Sequence, residues 1–125
     1  MRFHNVRLSE SIASGDGAAV TAYVDVPGKV SGFTSLTGQL ISAAPTGTVT
    51  TPTLDVTVQS SFDGTNWFDV MAFTQATTAA VNEAKFDSKA KTLTMGSMLR
   101  VKFLAETASG VATYGLDLWL LLNVG

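Results

Sequence analysis

Apolar and polar positions alternate along most of this chain. The clearest run is Leu54–Phe73, LDVTVQSSFDGTNWFDVMAF. Leu54, Val56 and Val58 fall on one side, and Asp55, Thr57 and Gln59 on the other. Period two with β-branched residues predicts a strand with one dry face and one wet face. Asp63-Gly64-Thr65-Asn66 breaks the pattern as a turn, because glycine takes positive φ without steric cost. An aromatic strand, Trp67–Phe73, follows at once. Alternation also predicts a strand over Ala19–Val26, with Val20, Ala22, Val24 and Val26 inward and Thr21, Tyr23 and Asp25 outward, closed by Pro27-Gly28. Phe33–Ala43 reads as another strand. Leu36 and Leu40 lie on its core face, with Gly38 between them marking a bulge or close packing.

Loops are predicted over 44–53 and 74–82, with a short helical turn at Ala79–Ala84. Glu83–Asp87 and Thr92–Met95 read as short strands around a basic turn, Ser88–Lys91. Met98–Glu106 and Thr113–Asn123 flank Ser109-Gly110 and read as a closing hairpin. Its register would pair Phe103 with Leu116, Val101 with Leu118 and Leu99 with Leu120, all apolar. The outward face would carry Arg100, Lys102, Asp117, Trp119 and Leu121, with Arg100 beside Trp119 and Lys102 opposite Asp117. An exposed Trp with Arg beside it is the make-up of an interface hot spot, so this face is expected to lie against another subunit or, failing that, beneath a loop of its own chain. Met1–Ile12 reads as an N-terminal arm or edge strand, with Phe3 and Val6 as interface candidates, ahead of a single domain over 13–125. About eight strands with almost no helix make an all-β chain, an antiparallel β-sandwich of jelly-roll type.

Composition narrows the functions. Charged residues make up 14% of the 125 positions and mean hydropathy is +0.27. Thr, Ser, Ala and Gly stand where a free monomer usually carries Lys and Glu, so the surface costs little to desolvate, as in an assembly subunit. A net charge of −2 argues against a nucleic-acid partner. The apolar tail Leu116–Val124 is too short for a membrane helix and Asp117 interrupts it, so no membrane partner is expected. The absence of cysteine excludes disulfides, cysteine–zinc sites and thiol nucleophiles.

Candidate chemistry is sparse. His4 is the only histidine and has no carboxylate near it in sequence, so it is a poor base for a triad. Asp63 and Asp69 flank Trp67 and could form a carboxylate pair, but a turn aspartate and an outward strand aspartate account for them. Asp63 and Asn66 offer oxygen ligands for calcium, in too small a cluster to hold it. Trp67 could stack on a sugar ring or pack at the strand entry. No catalytic residue, metal ligand or cofactor site is assigned.

From Leu54 to the C-terminus the chain resembles small β-sandwich proteins of tailed-bacteriophage virions. The resemblance rests on Ser61-Phe62-Asp63-Gly64-Thr65-Asn66-Trp67, Phe73-Thr74-Gln75 and Arg100-Val101-Lys102. It implies a capsid decoration (cement) protein on the virion surface, made in the host cytoplasm, with no enzymatic activity. The implied partners are the major capsid protein and other copies of the chain, a trimer by analogy. A tail or baseplate component fits the same resemblance. The same strand order is also similar to discoidin-like, galactose-binding sandwiches, which implies a carbohydrate-binding module. The chain lacks the cysteines and the loop aromatics and arginines common in that group.

Overall fold

Each alternating run folds as a strand, and the apolar halves of the strands meet in one interior. The computed structural model describes residues 3–26, 35–87 and 98–123. In chain order the strands are β1 (Phe3–Ala13), β2 (Val20–Asp25), β3 (Ser35–Ser42), β4 (Thr53–Ser61), β5 (Phe68–Ala72), β6 (Val81–Asp87), β7 (Met98–Glu106) and β8 (Thr113–Asn123). They form two antiparallel four-stranded sheets, ordered β1-β8-β3-β6 and β2-β7-β4-β5. Only the β4–β5 connection stays within a sheet, and every other one crosses from sheet to sheet. This is the eight-stranded jelly roll expected from the alternation. Pro27-Gly28, the Ser88–Lys91 turn and Thr92–Met95 lie outside the described residues.

The inward positions are those that periodicity selects, except Val20, which is 39% exposed at the start of β2. Leu36, Leu40, Leu54, Val58, Val101, Phe103, Leu118 and Leu120 are fully buried. Removing one such aliphatic side chain from water stabilises the fold by ~1.5–3 kcal/mol. Tyr114 is buried too, and its hydroxyl donates to the Thr77 carbonyl at 2.8 Å, so the phenol is not left unpaired. Gly38 shows why that strand position lacks a side chain. A Cβ there would lie 2.9 Å from Phe73 Cζ and 3.0 Å from Met71 Sδ.

Three expectations fail. The first is the closing hairpin. β7 pairs with β2 and β4, whereas β8 pairs with β1 and β3, so the two strands belong to opposite sheets. The turn signal is genuine, since Gly110 has φ 78°. The loop is tied sideways, by Gly110 N–H donating to Asp16 at 3.0 Å and by an isolated bridge between Thr50 and Ser109. Those ties carry the chain across the sandwich. The two apolar sets looked paired because both line the same core from opposite sides.

The second is the arm alternative for Met1–Ile12. All eleven residues of β1 pair with β8, from Phe3↔Asn123 to Ala13↔Thr113. Val6, Leu8 and Ile12 are buried in the core, so the edge-strand alternative holds and Val6 is not available to a partner. The third is the helical turn at Ala79–Ala84, where β6 already starts at Val81.

Two substitutions test this packing by urea unfolding of the purified chain. Leu8→Ala should cost ~2–5 kcal/mol, as a buried core truncation does. A loss under ~0.5 kcal/mol would instead show a detachable arm. Gly38→Ala should cost ~1–3 kcal/mol through overpacking against Phe73 and Met71.

Candidate functional site

A sandwich leaves two outer faces, and the side chains that could bind something are divided between them. On the β1-β8-β3-β6 sheet, registry aligns Arg7, Trp119, Gln39 and Ala84 in one transverse row, and Ser9, Asp117, Ile41 and Asn82 in the next. Arg7 is the element that sequence reading missed. Its guanidinium donates from Nε and Nη2 to Asp117 Oδ1, at 3.2 and 3.0 Å, and its Cζ sits 5.1 Å from the Trp119 ring centroid. Arg7 is far from Trp119 in sequence and meets it only through the pairing of β1 with β8. The ion pair neutralises both charges and leaves an apolar field. Ile41 is 40% exposed, Trp119 38%, Leu121 37% and Phe86 63%. Gln39 Nε2 donates to Asn82 Oδ1 at 2.9 Å, so the polar groups on this face also satisfy one another.

The opposite face, on β2-β7-β4-β5, holds Arg100 and Lys102. They do not meet Trp119 or Asp117, because β7 and β8 face outward on opposite sides of the sandwich. Arg100 Cζ lies 4.0 Å from the Tyr23 ring centroid and 4.0 Å from the Trp67 centroid, held between the two rings. Its Nε donates to Gln59 Oε1 at 2.9 Å, and Gln59 Nε2 donates to Asp69 Oδ1 at 2.9 Å. A planar, hydrogen-bonded row thus crosses from β2 to β5. Each ring contact is worth about 0.5–1 kcal/mol at an exposed site. Lys102 sits two positions along, opposite Tyr23 and Thr57 in register. Tyr23 was legible as outward, but its place beside Arg100 depends on which strands neighbour β7. Phe3 takes the register position opposite Asn123.

Trp67 reaches this row because of the turn before it. Ser61 Oγ accepts from Gly64 N–H at 2.9 Å and donates to Asp63 Oδ1 at 3.0 Å. Asp63 Oδ1 also accepts from the Thr65 and Asn66 N–H groups, both at 2.8 Å, and Oδ2 accepts from Asn66 Nδ2 at 2.7 Å. Gly64, at φ 78°, supplies the left-handed residue. The Ser-x-Asp-Gly-x-x-Trp motif is therefore a turn closed by its own side chains, with both Asp63 carboxylate oxygens already accepting hydrogen bonds from within it. The Asn66 N–H, then the Thr65 N–H and the Asn66 and Ser61 side chains, hold the Asp63 carboxyl well below the usual carboxylate range. Asp69 is likewise taken up by Gln59. The residues described contain no cluster of three or more His, Asp or Glu side chains able to hold a metal ion.

No protein-family model matches the chain, and no curated protein does. Solved structures do. A chain in the structure of infectious bursal disease virus, Gx strain, superposes with a TM-score of 0.57 at 14% identity, covering 100% of this chain and 34% of that one. The PBSX exported protein XepA gives 0.51 at 14% identity, covering 96% of this chain and 37% of that one. The N-terminal cellulose-binding domain of Cellulomonas fimi β-1,4-glucanase C gives 0.55 at 16% identity, covering 93% of this chain and 86% of that one. This chain spans about a third of the length of the first two. At these identities the likeness establishes the β-sandwich fold and nothing finer.

The turn carries a pH signature. A carboxyl whose folded pKa lies below its unfolded value of ~3.9–4.3 stabilises the fold above that value. The contribution fades as pH falls toward the folded pKa. Asp63 behaves so, and so does Glu83, lowered chiefly by hydrogen bonding from the Thr74 hydroxyl. Stability of the wild-type chain should therefore fall as the solution is acidified below about pH 4, and Asp63→Asn should flatten part of that slope. Urea titrations at stepped pH give the comparison, and an unchanged slope would mean the turn does not hold the carboxylate.

Proposed function

We propose that this chain is a structural protein of a tailed-bacteriophage virion, a decoration or cement subunit that binds the assembled capsid shell and catalyses nothing. The observation that carries the reading is the outer face of the β1-β8-β3-β6 sheet. Trp119, Leu121, Ile41 and Phe86 stand exposed there around a single internally neutralised pair, Arg7–Asp117. Such a face is apolar enough to be stabilised by burial and carries no net charge to desolvate. The virion-type turn motif, the sparse surface charge and the fold likeness to a chain of a virus structure support it. The partners are the major capsid protein and further copies of this chain, at the capsid surface. Binding that requires the assembled shell stabilises that shell by mass action, with no chemistry needed.

A second reading is favoured by a different observation. The Tyr23–Arg100–Trp67 row presents two aromatic rings beside a guanidinium, a make-up suited to a neutral oligosaccharide. The fold likeness to a cellulose-binding domain supports this carbohydrate-binding alternative.

Co-sedimentation with empty phage shells lacking the protein separates the two readings. Saturable binding to shells should weaken by ~2 kcal/mol, about 30-fold, in Trp119→Ala and be unaffected by Trp67→Ala. Failure to bind shells, with saturable glycan binding lost in Trp67→Ala, would reverse the order.

A further inference from the structure

The outer face of the β1-β8-β3-β6 sheet is high at one end and hollow at the other. Registry puts Asn5, Leu121, Thr37 and Phe86 in one row, next to the row of Arg7, Trp119, Gln39 and Ala84. Leu121, Phe86 and Trp119 stand exposed there as a ridge. Beyond the row of Ser9, Asp117, Ile41 and Asn82 the side chains give out. Gly115 lies between Ser11 and Ala43, whose N–H donates to the Gly115 carbonyl at 2.8 Å. A Cβ built on Gly115 meets nothing within 4 Å. The surface sinks there into an open hollow of about 660 Å³, with Ile41, Ala43, Ala80, Asn82 and Gly115 among its lining.

Between ridge and hollow lies the Arg7–Asp117 pair, and it uses only part of its bonding capacity. Nε and Nη2 of Arg7 both donate to the same oxygen, Oδ1. Arg7 Nη1 and Asp117 Oδ2 have no partner among the described residues. Both side chains are within reach of another molecule, at 52% and 32% exposure. Guanidinium and carboxylate make short, charge-assisted hydrogen bonds when matched. One face thus carries an unused cationic donor and an unused anionic acceptor, an apolar ridge and a hollow. A surface that holds both halves of each fit is complementary to itself, which is what a two-fold interface requires.

We propose that two copies pack these faces together about a two-fold axis that lies across the strands, between the Trp119 row and the Asp117 row. An axis along the strands would set each row against itself, ridge on ridge and hollow on hollow. An axis across the strands at the Asp117 row would oppose two carboxylates. One at the Trp119 row would oppose two indoles and leave the Gly115 hollow uncovered. Between the two rows, Leu121 of each copy lies over Gly115 of the other, and Phe86 over the Ala80 side of the hollow. Each Arg7 Nη1 then donates to Asp117 Oδ2 of the other copy. Four strands and the seven residues from Gly115 to Leu121 present ~450 Å² per copy, at ~4.8 Å between strands and ~3.4 Å per residue. The pair covers about twice that, at the small end of specific interfaces, where association is weak and reversible. A shell would need the same face, so the dimer is the form of the free chain, and shell binding opens it. It is a dimer, unlike the trimer implied by resemblance, and it does not rest on the shell reading.

Sedimentation equilibrium of the purified full-length chain tests this without any shell, so its failure and a failure of shell binding are separate results. The wild type should dimerise with a Kd below ~0.1 mM. Arg7→Asp and Asp117→Arg should each raise that Kd by about tenfold or more, because like charges then meet across the axis. An equimolar mixture of the two variants should recover dimers, since each copy then carries one sign and faces the other. A pair that only braced its own chain would give no such rescue. Gly115→Phe reads the hollow even if a charge variant fails to fold. Its ring meets open space in its own chain, so the urea unfolding midpoint should not fall, while the dimer Kd rises by about tenfold or more as the seat for Leu121 is filled. Four results would overturn the proposal: a wild type still monomeric at ~1 mM, a mixture of folded charge variants that stays monomeric, a Gly115→Phe chain that dimerises like the wild type, or growth beyond the dimer.

Discussion

Every strand here has one dry side, and the molecule has one place to put it. Leu36 and Leu40 from one sheet and Val56, Val58, Val101 and Phe103 from the other share that interior. The two outer faces follow as a consequence. Whatever is not inward must lie on one sheet's exterior or the other's, and the placement of Trp119 and Arg100 on opposite faces is settled by which sheet each strand joins. Gly38 shows how tight the constraint is, since even one methyl group there meets Phe73 and Met71 within contact distance.

That division explains what the sequence could and could not disclose. Inward and outward sets were readable strand by strand because side-chain period is a local property. Partnership between strands was not. Ser109-Gly110 signals a turn, and the apolar residues on either side match as a hairpin would, but a hairpin and a crossing between sheets have the same alternation. What decides between them is a set of distant ties, Asp16 to Gly110 and Thr50 to Ser109, which no window on the sequence contains. The same holds for Arg7 and Trp119, and for Tyr23 and Arg100.

The Asp63 turn is the reverse case. All of its donors and acceptors come from Ser61–Asn66, so sequence alone was enough to place it. Its role is to deliver Trp67 to the Arg100 row. A motif that suggested a ligand site is better understood as the mount for a neighbouring side chain. The carboxylate is fixed by the chain, and the indole it positions is what another molecule would encounter.

The pairing of the first strand with the last sets the order in which this molecule can be completed during synthesis. β1 is finished at residue 13, and its partner β8 only at residue 123. At ~5–20 residues per second, roughly 6–20 s separate the two events on the ribosome. Throughout that interval β1 has no sheet to join, and β3 lacks the neighbour that links it to β1. The β2-β7-β4-β5 sheet, by contrast, has all its strands once residue 106 is made. The β2-β7-β4-β5 sheet can thus close while the β1-β8-β3-β6 sheet still lacks β8, and β1 is the strand that waits longest for its partner.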